Sequence, residues 1–182
     1  MQGSALAMAA PSPTFAAATD LRSEIESLHS ASFGWALACC GRNRDEASEV
    51  LQQSYCKVLT GSAHFDGRSS LRTWLFGVIR LTAREHRRWS WLFGSRTAAP
   101  ELQRPPAPDE VAEAREEAAR LSAALAALAA RQREVLHLVF YEGLTISEAA
   151  GVMGVSLGSA RQHYERGKKN LHAALTQTGG HP

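Results

Sequence analysis

The sequence predicts an all-α protein: two small helical domains joined by a flexible linker, the C-terminal one a helix-turn-helix. Three observations carry this. Apolar residues recur at steps of three and four along most of the chain, the period of a helix that buries one face. No stretch of any length alternates apolar and polar residues at the period of a strand. Four prolines crowd into residues 94–108, a composition that reads as a tether rather than an element. With 182 residues, 45% of them hydrophobic, the chain can bury two small cores.

The elements follow in order. Residues 1–20 are rich in Ala, Pro and Ser and read as a disordered tail; they lack the basic start and long apolar run of a signal peptide. The first domain spans 21–93. Its opening helix carries Leu21, Ile25 and Leu28, continues through Phe33, Ala36 and Leu37, and stops at Gly41. Asp45 is placed to cap the next helix, whose apolar positions are Ala47, Val50, Leu51, Tyr55, Val58 and Leu59. Residues 60–70, TGSAHFDGRSS, form a loop with two glycines and a hydrophilic middle. Ser70 can cap a third helix bearing Leu71, Trp74, Leu75, Val78 and Ile79, which runs on into Arg80, Arg84, Arg87 and Arg88. Trp89, Trp91, Leu92 and Phe93 make an apolar cluster at its far end.

A linker covers 94–112, with an acidic helix beginning near Asp109. The second domain spans 113–178 and ends in the helix-turn-helix. Ile146, Ala149, Ala150 and Met153 share one face of its first helix. Gly154 can take a positive φ at the sharp turn, and Ser156 can cap the next helix. That helix turns Ala160, Tyr164, Gly167 and Leu171 inward. Its other faces show Ser159, Arg161, Gln162, His163, Glu165, Arg166, Lys168 and Lys169. Such a helix suits a DNA major groove: Arg and Gln read base edges, and Lys neutralises phosphates.

Formal net charge is only +2, but its distribution is uneven. Residues 57–96 hold eight Lys or Arg against two acids; 101–120 hold six acids against three Arg; 161–169 hold four basic residues against one acid. Two positive faces separated by an acidic segment fit a bipartite nucleic-acid binder. Several function classes drop out. There is no Gly-rich phosphate loop, nucleophile elbow or metal-ligand spacing, so no catalytic residue, cofactor or metal is expected. Cys39, Cys40 and Cys56 form no even disulfide framework and no zinc spacing, and read as buried free thiols of a cytoplasmic chain. A redox or metal-sensing role for Cys39 and Cys40 with His29 is the other reading. No run of about 18 apolar residues occurs, so the chain is not expected to insert in a membrane.

These residues resemble a known family, the extracytoplasmic-function (ECF) sigma factors of the sigma-seventy group. LAALAARQREVLHLVFYEGLTISEAAGVMGVSLGSARQHYERGKKNL is similar to the family's region four. DEASEVLQQSYCKVL resembles region 2.2, and SSLRTWLFGVIRLTAREHRRW regions 2.3 and 2.4. The resemblance implies a transcription initiation subunit without enzymatic activity. It implies that region two docks on the β′ clamp helices of core RNA polymerase through Glu49, Val50, Gln52 and Gln53. It implies that His64, Phe65, Asp66 and Arg68 hold a flipped base of the minus-ten element while Arg80, Arg84, Arg87 and Arg88 track the opened strand. It implies that Ser159, Arg161, Gln162, His163, Glu165, Arg166 and Lys169 read the minus-thirty-five element, with region four also touching the β flap. An anti-sigma factor is the implied inhibitor. Gln53 stands where the family has an acid, so Glu49 is the one acid kept in residues 47–55. Two other readings stay open: a helix-turn-helix regulator acting without polymerase, and a sigma-like interaction protein.

Overall fold

The computed structural model describes residues 15–93 and 110–178; the expected tail over 1–14 and linker over 94–109 lie outside the described residues. Every regular element among the described residues is helical. Helix α1 (Phe15–Ser27) begins inside the expected tail, so residues 15–20 are helical rather than disordered. The single long helix expected over 21–37 is broken at Leu28, whose N–H reaches the carbonyls of both Glu24 and Ile25 at 3.2 Å; α2 (His29–Cys39) then starts afresh. The chain divides into two compact units at this point, residues 1–30 and 31–182. Both expected domains therefore contribute to the second unit. Within the first unit, α1 carries an exposed Arg22–Glu26 ion pair one turn apart at 3.2 Å.

In the second unit α2 is followed by a tight reversal in which Gly41 and Arg42 take φ of 62° and 69°. The reversal delivers Asn43 in an extended conformation, and its Oδ1 accepts from the Asp45 and Glu46 N–H groups at 3.1 and 3.2 Å. Asn43, not Asp45, caps α3 (Arg44–Leu59). Asp45 and Glu46 lie in the first turn, where their charge suits the positive end of the helix. Helix α3 packs on α4 (Leu71–Phe93), and Ala47, Val50, Leu51, Leu75, Phe76 and Ile79 are all buried. Ser70 caps α4 as expected, accepting from Thr73 N at 3.2 Å. Trp35 of α2 is fully buried and donates Nε1–H to the Phe76 carbonyl at 3.0 Å. At the end of α4, where an apolar cluster is expected, Trp89 and Trp91 are 60% and 82% exposed, and the side chains of Leu92 and Phe93 lie outside the described residues.

Helix α5 (Glu110–Ala127) starts three residues inside the expected linker span. It leads into α6 (Ala130–Leu136), whose end widens into a π-helical turn, His137–Tyr141. The wider turn sends Phe140 and Tyr141 outward, at 66% and 75% exposure, while Leu138 stays buried. Thr145 and Glu148 then form a reciprocal capping box for α7 (Ile146–Met153). Gly154 closes α7 in the left-handed region at φ 61°, and Ser156 caps α8 (Leu157–Thr178), accepting from Ser159 N at 3.2 Å. Helix α8 lies across α5, α6 and α7. The approach to α6 is close at Gly167: a Cβ there would stand 3.2 Å from Leu136, tighter than ordinary contact.

Candidate nucleic-acid interface

The helix-turn-helix presents α8 outward. Ala160 and Gly167 are buried against the two preceding helices, which fixes the rotation of α8 about its axis. Arg161, Gln162, Glu165, Arg166, Lys168 and Lys169 are thereby exposed together, and Ser159 and His163 are half-buried at the edge. Tyr164 stacks on Phe140 with ring centroids 5.8 Å apart, and Lys168 Nζ sits 4.8 Å from the Tyr164 ring. Two long guanidinium side chains, an amide and two ammonium groups on one exposed helix give what groove reading needs: forked donors for bases and mobile charge for phosphates.

The second candidate surface is the loop 61–70 with α4. Gly61 and Gly67 adopt φ of 75° and 73°, and Asp66 Oδ1 accepts from Arg68 N at 3.1 Å, so the loop is a folded turn. Phe65 is half-buried against Trp74, centroids 5.3 Å apart, while His64, Asp66 and Arg68 are exposed. A half-buried aromatic beside exposed polar groups is a place where an unstacked base can be held. Along α4, Arg84, Arg87 and Arg88 are exposed and continue into exposed Trp91. The sequence left Trp89 and Trp91 open between packing and DNA contact; the exposure of Trp91 beside three arginines favours the second for that residue.

Two expected contacts do not stand on a surface. Arg80 is 3% exposed, with Nε and Nη2 both 3.2 Å from Glu134 Oε2 on α6, so in this arrangement it is not part of the open track. Val50 is fully buried between α3 and α4 and cannot meet polymerase. Its neighbours Glu49, Gln52 and Gln53 are exposed. Gln53 donates to Glu49 Oε1 at 3.1 Å, and His86 Nε2 lies 3.1 Å from the other Glu49 oxygen, so the single acid of this helix face is oriented from two sides.

Sequence reasoning missed the polar contacts between α4 and the helices that follow α5. Arg72 Nη2 is 2.6 Å from Glu142 Oε2, and His137 Nε2 is 3.3 Å from the other Glu142 oxygen. Burial alone would raise the Glu142 carboxyl; hydrogen bonds from His137 and Arg72 outweigh it and hold the group below its ordinary value of 4.5. A carboxyl depressed in the folded state adds stability above the unfolded value and loses it as pH falls through the folded one. Urea midpoints measured at pH 7 and pH 3.5 should therefore fall further for the unaltered chain than for Glu142→Gln. Equal falls would mean that Glu142 is not held as described.

The three cysteines are free thiols, but they are not all buried as expected: Cys39 and Cys40 are half-buried and Cys56 is exposed. Burial pushes the Cys39 thiol well up and raises that of Cys40 to about 11. Among the described residues no group of His, Cys, Asp and Glu could hold a metal ion. No helix among them is long and apolar enough to cross a membrane.

Two family models match in succession along the chain: Sigma-70 region 2 over residues 25–92, and Sigma-70, region 4 over residues 118–171. The ECF RNA polymerase sigma factor SigX of Bacillus subtilis (strain 168) is 28% identical over 142 residues, covering 71% of each chain. The chain belongs to the ECF branch of the sigma-70 family. It is thus a transcription-initiation sigma subunit. Two solved structures share its fold. The sigma factor RpoE from Bartonella quintana, in complex with the anti-sigma factor NepR, aligns with TM-score 0.67 at 21% identity over 87% of this chain and 98% of its own. CnrH in complex with the cytosolic domain of CnrY aligns with TM-score 0.61 at 23% identity, over 88% and 95%. The region 2 match ends at the far turn of α4, and the region 4 match contains every exposed residue of α8 named above.

Proposed function

We propose that this sigma factor brings core RNA polymerase to promoters by reading the minus-thirty-five element with α8 and by opening the minus-ten element on the loop 61–70 and α4. The observation that carries the reading is the pairing of two different cationic surfaces in one chain. One is a convex helix sized for an intact major groove. The other joins a folded loop with a half-buried aromatic to a row of exposed arginines, which suits an unpaired strand. A regulator that bound duplex DNA alone would have no use for the second.

In this reading Arg161, Gln162, Glu165 and Arg166 meet base edges, with Ser159, His163, Lys168 and Lys169 at phosphates. His64, Phe65, Asp66 and Arg68 hold a flipped base, and Arg84, Arg87 and Arg88 follow the backbone of the same strand. Glu49, Gln52 and Gln53 face the β′ clamp helices, and the C-terminal domain touches the β flap. The division into domains 21–93 and 113–178, with a tether between, belongs to the same proposal. So does work in the cytoplasm, where polymerase and promoters are. Strand opening draws on binding energy to the unpaired strand, so no catalytic group is required. RpoE and CnrH were solved with NepR and CnrY; the exposed Leu81, Trp89 and Trp91 of α4 support an anti-sigma factor for this chain as well.

Run-off transcription with core polymerase tests the proposal. Purified chain added to polymerase lacking a sigma subunit should produce transcripts of discrete start on genomic fragments. Polymerase binding without any discrete start would leave only the interaction-protein reading; DNA binding without polymerase association would favour the independent regulator.

A further inference from the structure

Glu49 is the one acid among residues 47–55, and Gln53 stands one turn after it, where the family has a second acid. Two carboxylates four residues apart on a helix face repel each other. The pair in this chain attracts instead. Gln53 Nε2 donates to Glu49 Oε1 at 3.1 Å along α3, and His86 Nε2 reaches across from α4 to within 3.1 Å of Oε2. A carboxylate only accepts, so His86 presents its Nε2 hydrogen to that oxygen. Lys57, two turns along α3, is held elsewhere: its Nζ is 3.1 Å from Thr82 Oγ1 and 2.5 Å from Glu85 Oε2. Of the two acids along the α3–α4 seam, Glu85 thus has a lysine against it, and Glu49 is met by an imidazole and an amide.

The contact is not needed to join the two helices. Ala47, Val50, Leu51, Leu75, Phe76 and Ile79 already pack them together, and a surface pair adds little to stability. Its two ends are also unequally placed. The His86 side chain is 17% exposed and that of Glu49 57%, so the imidazole is the fixed end and the carboxylate the outward one. Each carboxylate oxygen has two lone pairs. With one hydrogen bond on each, both oxygens keep a position open to a donor from outside the chain. A glutamate already held this way gives up little rotamer freedom when a basic group pairs with it. An unheld one pays that ordering on binding.

We infer that His86 is a positioning residue for polymerase docking: with Gln53 it holds the Glu49 carboxylate in the outward orientation that a basic group of the β′ clamp helices meets, so that one fixed acid serves where the family has two. This rests on the reading that Glu49 faces the clamp. It gives α4 a part in docking besides the DNA track of Arg84, Arg87 and Arg88, through a side chain that acts on polymerase only by way of its neighbour.

The test measures affinity of the full chain, biotinylated at its N-terminus, for core polymerase by biolayer interferometry, with helicity read by circular dichroism. Glu49→Ala sets the scale and should weaken binding about tenfold. His86→Leu should weaken it about three- to tenfold, the ordering that a freed glutamate then pays. In the Glu49→Ala chain the same substitution should change almost nothing, because the group it acts through is gone. His86→Gln keeps an N–H donor and should restore most of the affinity. A histidine that merely stabilised the fold would give losses that multiply in the double variant, and Gln would not rescue it. Full affinity in the folded His86→Leu chain overturns the proposal, and so do multiplying losses; a loss from Glu49→Ala then shows that the docking reading stands. Full affinity in Glu49→Ala shows that the docking reading itself fails, and the proposal with it. Should His86→Leu lose helicity, His86→Phe fills the space of the imidazole without a donor. It should show the same loss and the same cancellation in the Glu49→Ala chain, and full affinity there overturns the proposal equally.

Discussion

Replacing Arg161 and Arg166 together by Ala weakens binding of a duplex carrying the upstream promoter element by about 1–3 kcal/mol for each lost base contact, while association with core polymerase is unchanged. The first half follows from where the side chains are. Both are exposed, on the part of α8 that begins one turn after the Ser156 cap, the end of a recognition helix that enters the groove. A forked guanidinium pairing with a guanine has no substitute when truncated, because water fills the gap without its directionality. The second half follows from what holds α8 in place. Its seating depends on buried Ala160 and on Gly167, which lets Leu136 approach, and neither arginine takes part in that packing. The helix should keep its position and lose only its reading groups. Electrophoretic mobility shift with holoenzyme measures the first quantity and co-purification with core polymerase the second. Loss of co-purification would show that α8 faces polymerase rather than DNA. Lys169→Ala is the contrast: it should weaken all duplexes alike and flatten the salt dependence by about one counterion.

What the sequence made legible, and what it hid, divides by range. The helix-turn-helix was readable because each of its determinants is local. Gly154 supplies a left-handed residue directly after the last buried residue of α7, Met153, and Ser156 reaches an N–H three residues on. Ser70 was readable for the same reason. The capping of α3 was a near miss between two good cap formers two residues apart. Asn43 holds the position because the left-handed pair Gly41–Arg42 sets the chain direction, and that pair follows from the end of α2 rather than from residue preference. Val50 was assigned two roles, as an apolar core position and as a polymerase contact; a helix has one inward face, and burial between α3 and α4 leaves only the first. Arg80 sits in line with Arg84 and Arg87, so helical spacing puts it on their surface. Its partner Glu134 lies 54 positions along the chain and Glu142 lies 70 beyond Arg72, distances at which no local pattern reports a contact. The π-helical turn at His137–Tyr141 was invisible as well, since none of its residues carries a local signal for a widened turn.

Trp35→Ala should cost about 3–5 kcal/mol of folding stability, the largest single-residue effect expected in this chain. Trp35 is fully buried and ties α2 to two other elements. Its ring stacks on Phe76 of α4 with centroids 6.1 Å apart and meets His137 at 5.3 Å, while Nε1–H is bonded to the Phe76 carbonyl. Truncation removes most of the apolar area that α2 contributes and leaves a void that helices held on both sides cannot close. Total stabilities of domains this size are about 5–15 kcal/mol, so the variant should keep little margin and its thermal midpoint should drop by roughly 10 °C. Trp35→Phe separates the terms: it keeps a packed ring and gives up the hydrogen bond and part of the area, and should cost about 1–2 kcal/mol. Urea unfolding followed by far-ultraviolet circular dichroism reads both without relying on the fluorophore removed. A loss under about 1 kcal/mol for Trp35→Ala would mean that Trp35 is not packed as described. The functional consequence runs through the same contacts: α2 and the Phe76 turn of α4 support the helix that carries Arg84, Arg87 and Arg88. The Ala variant should therefore lose promoter opening in step with its folded fraction, whereas Trp35→Phe should open promoters at close to the normal level.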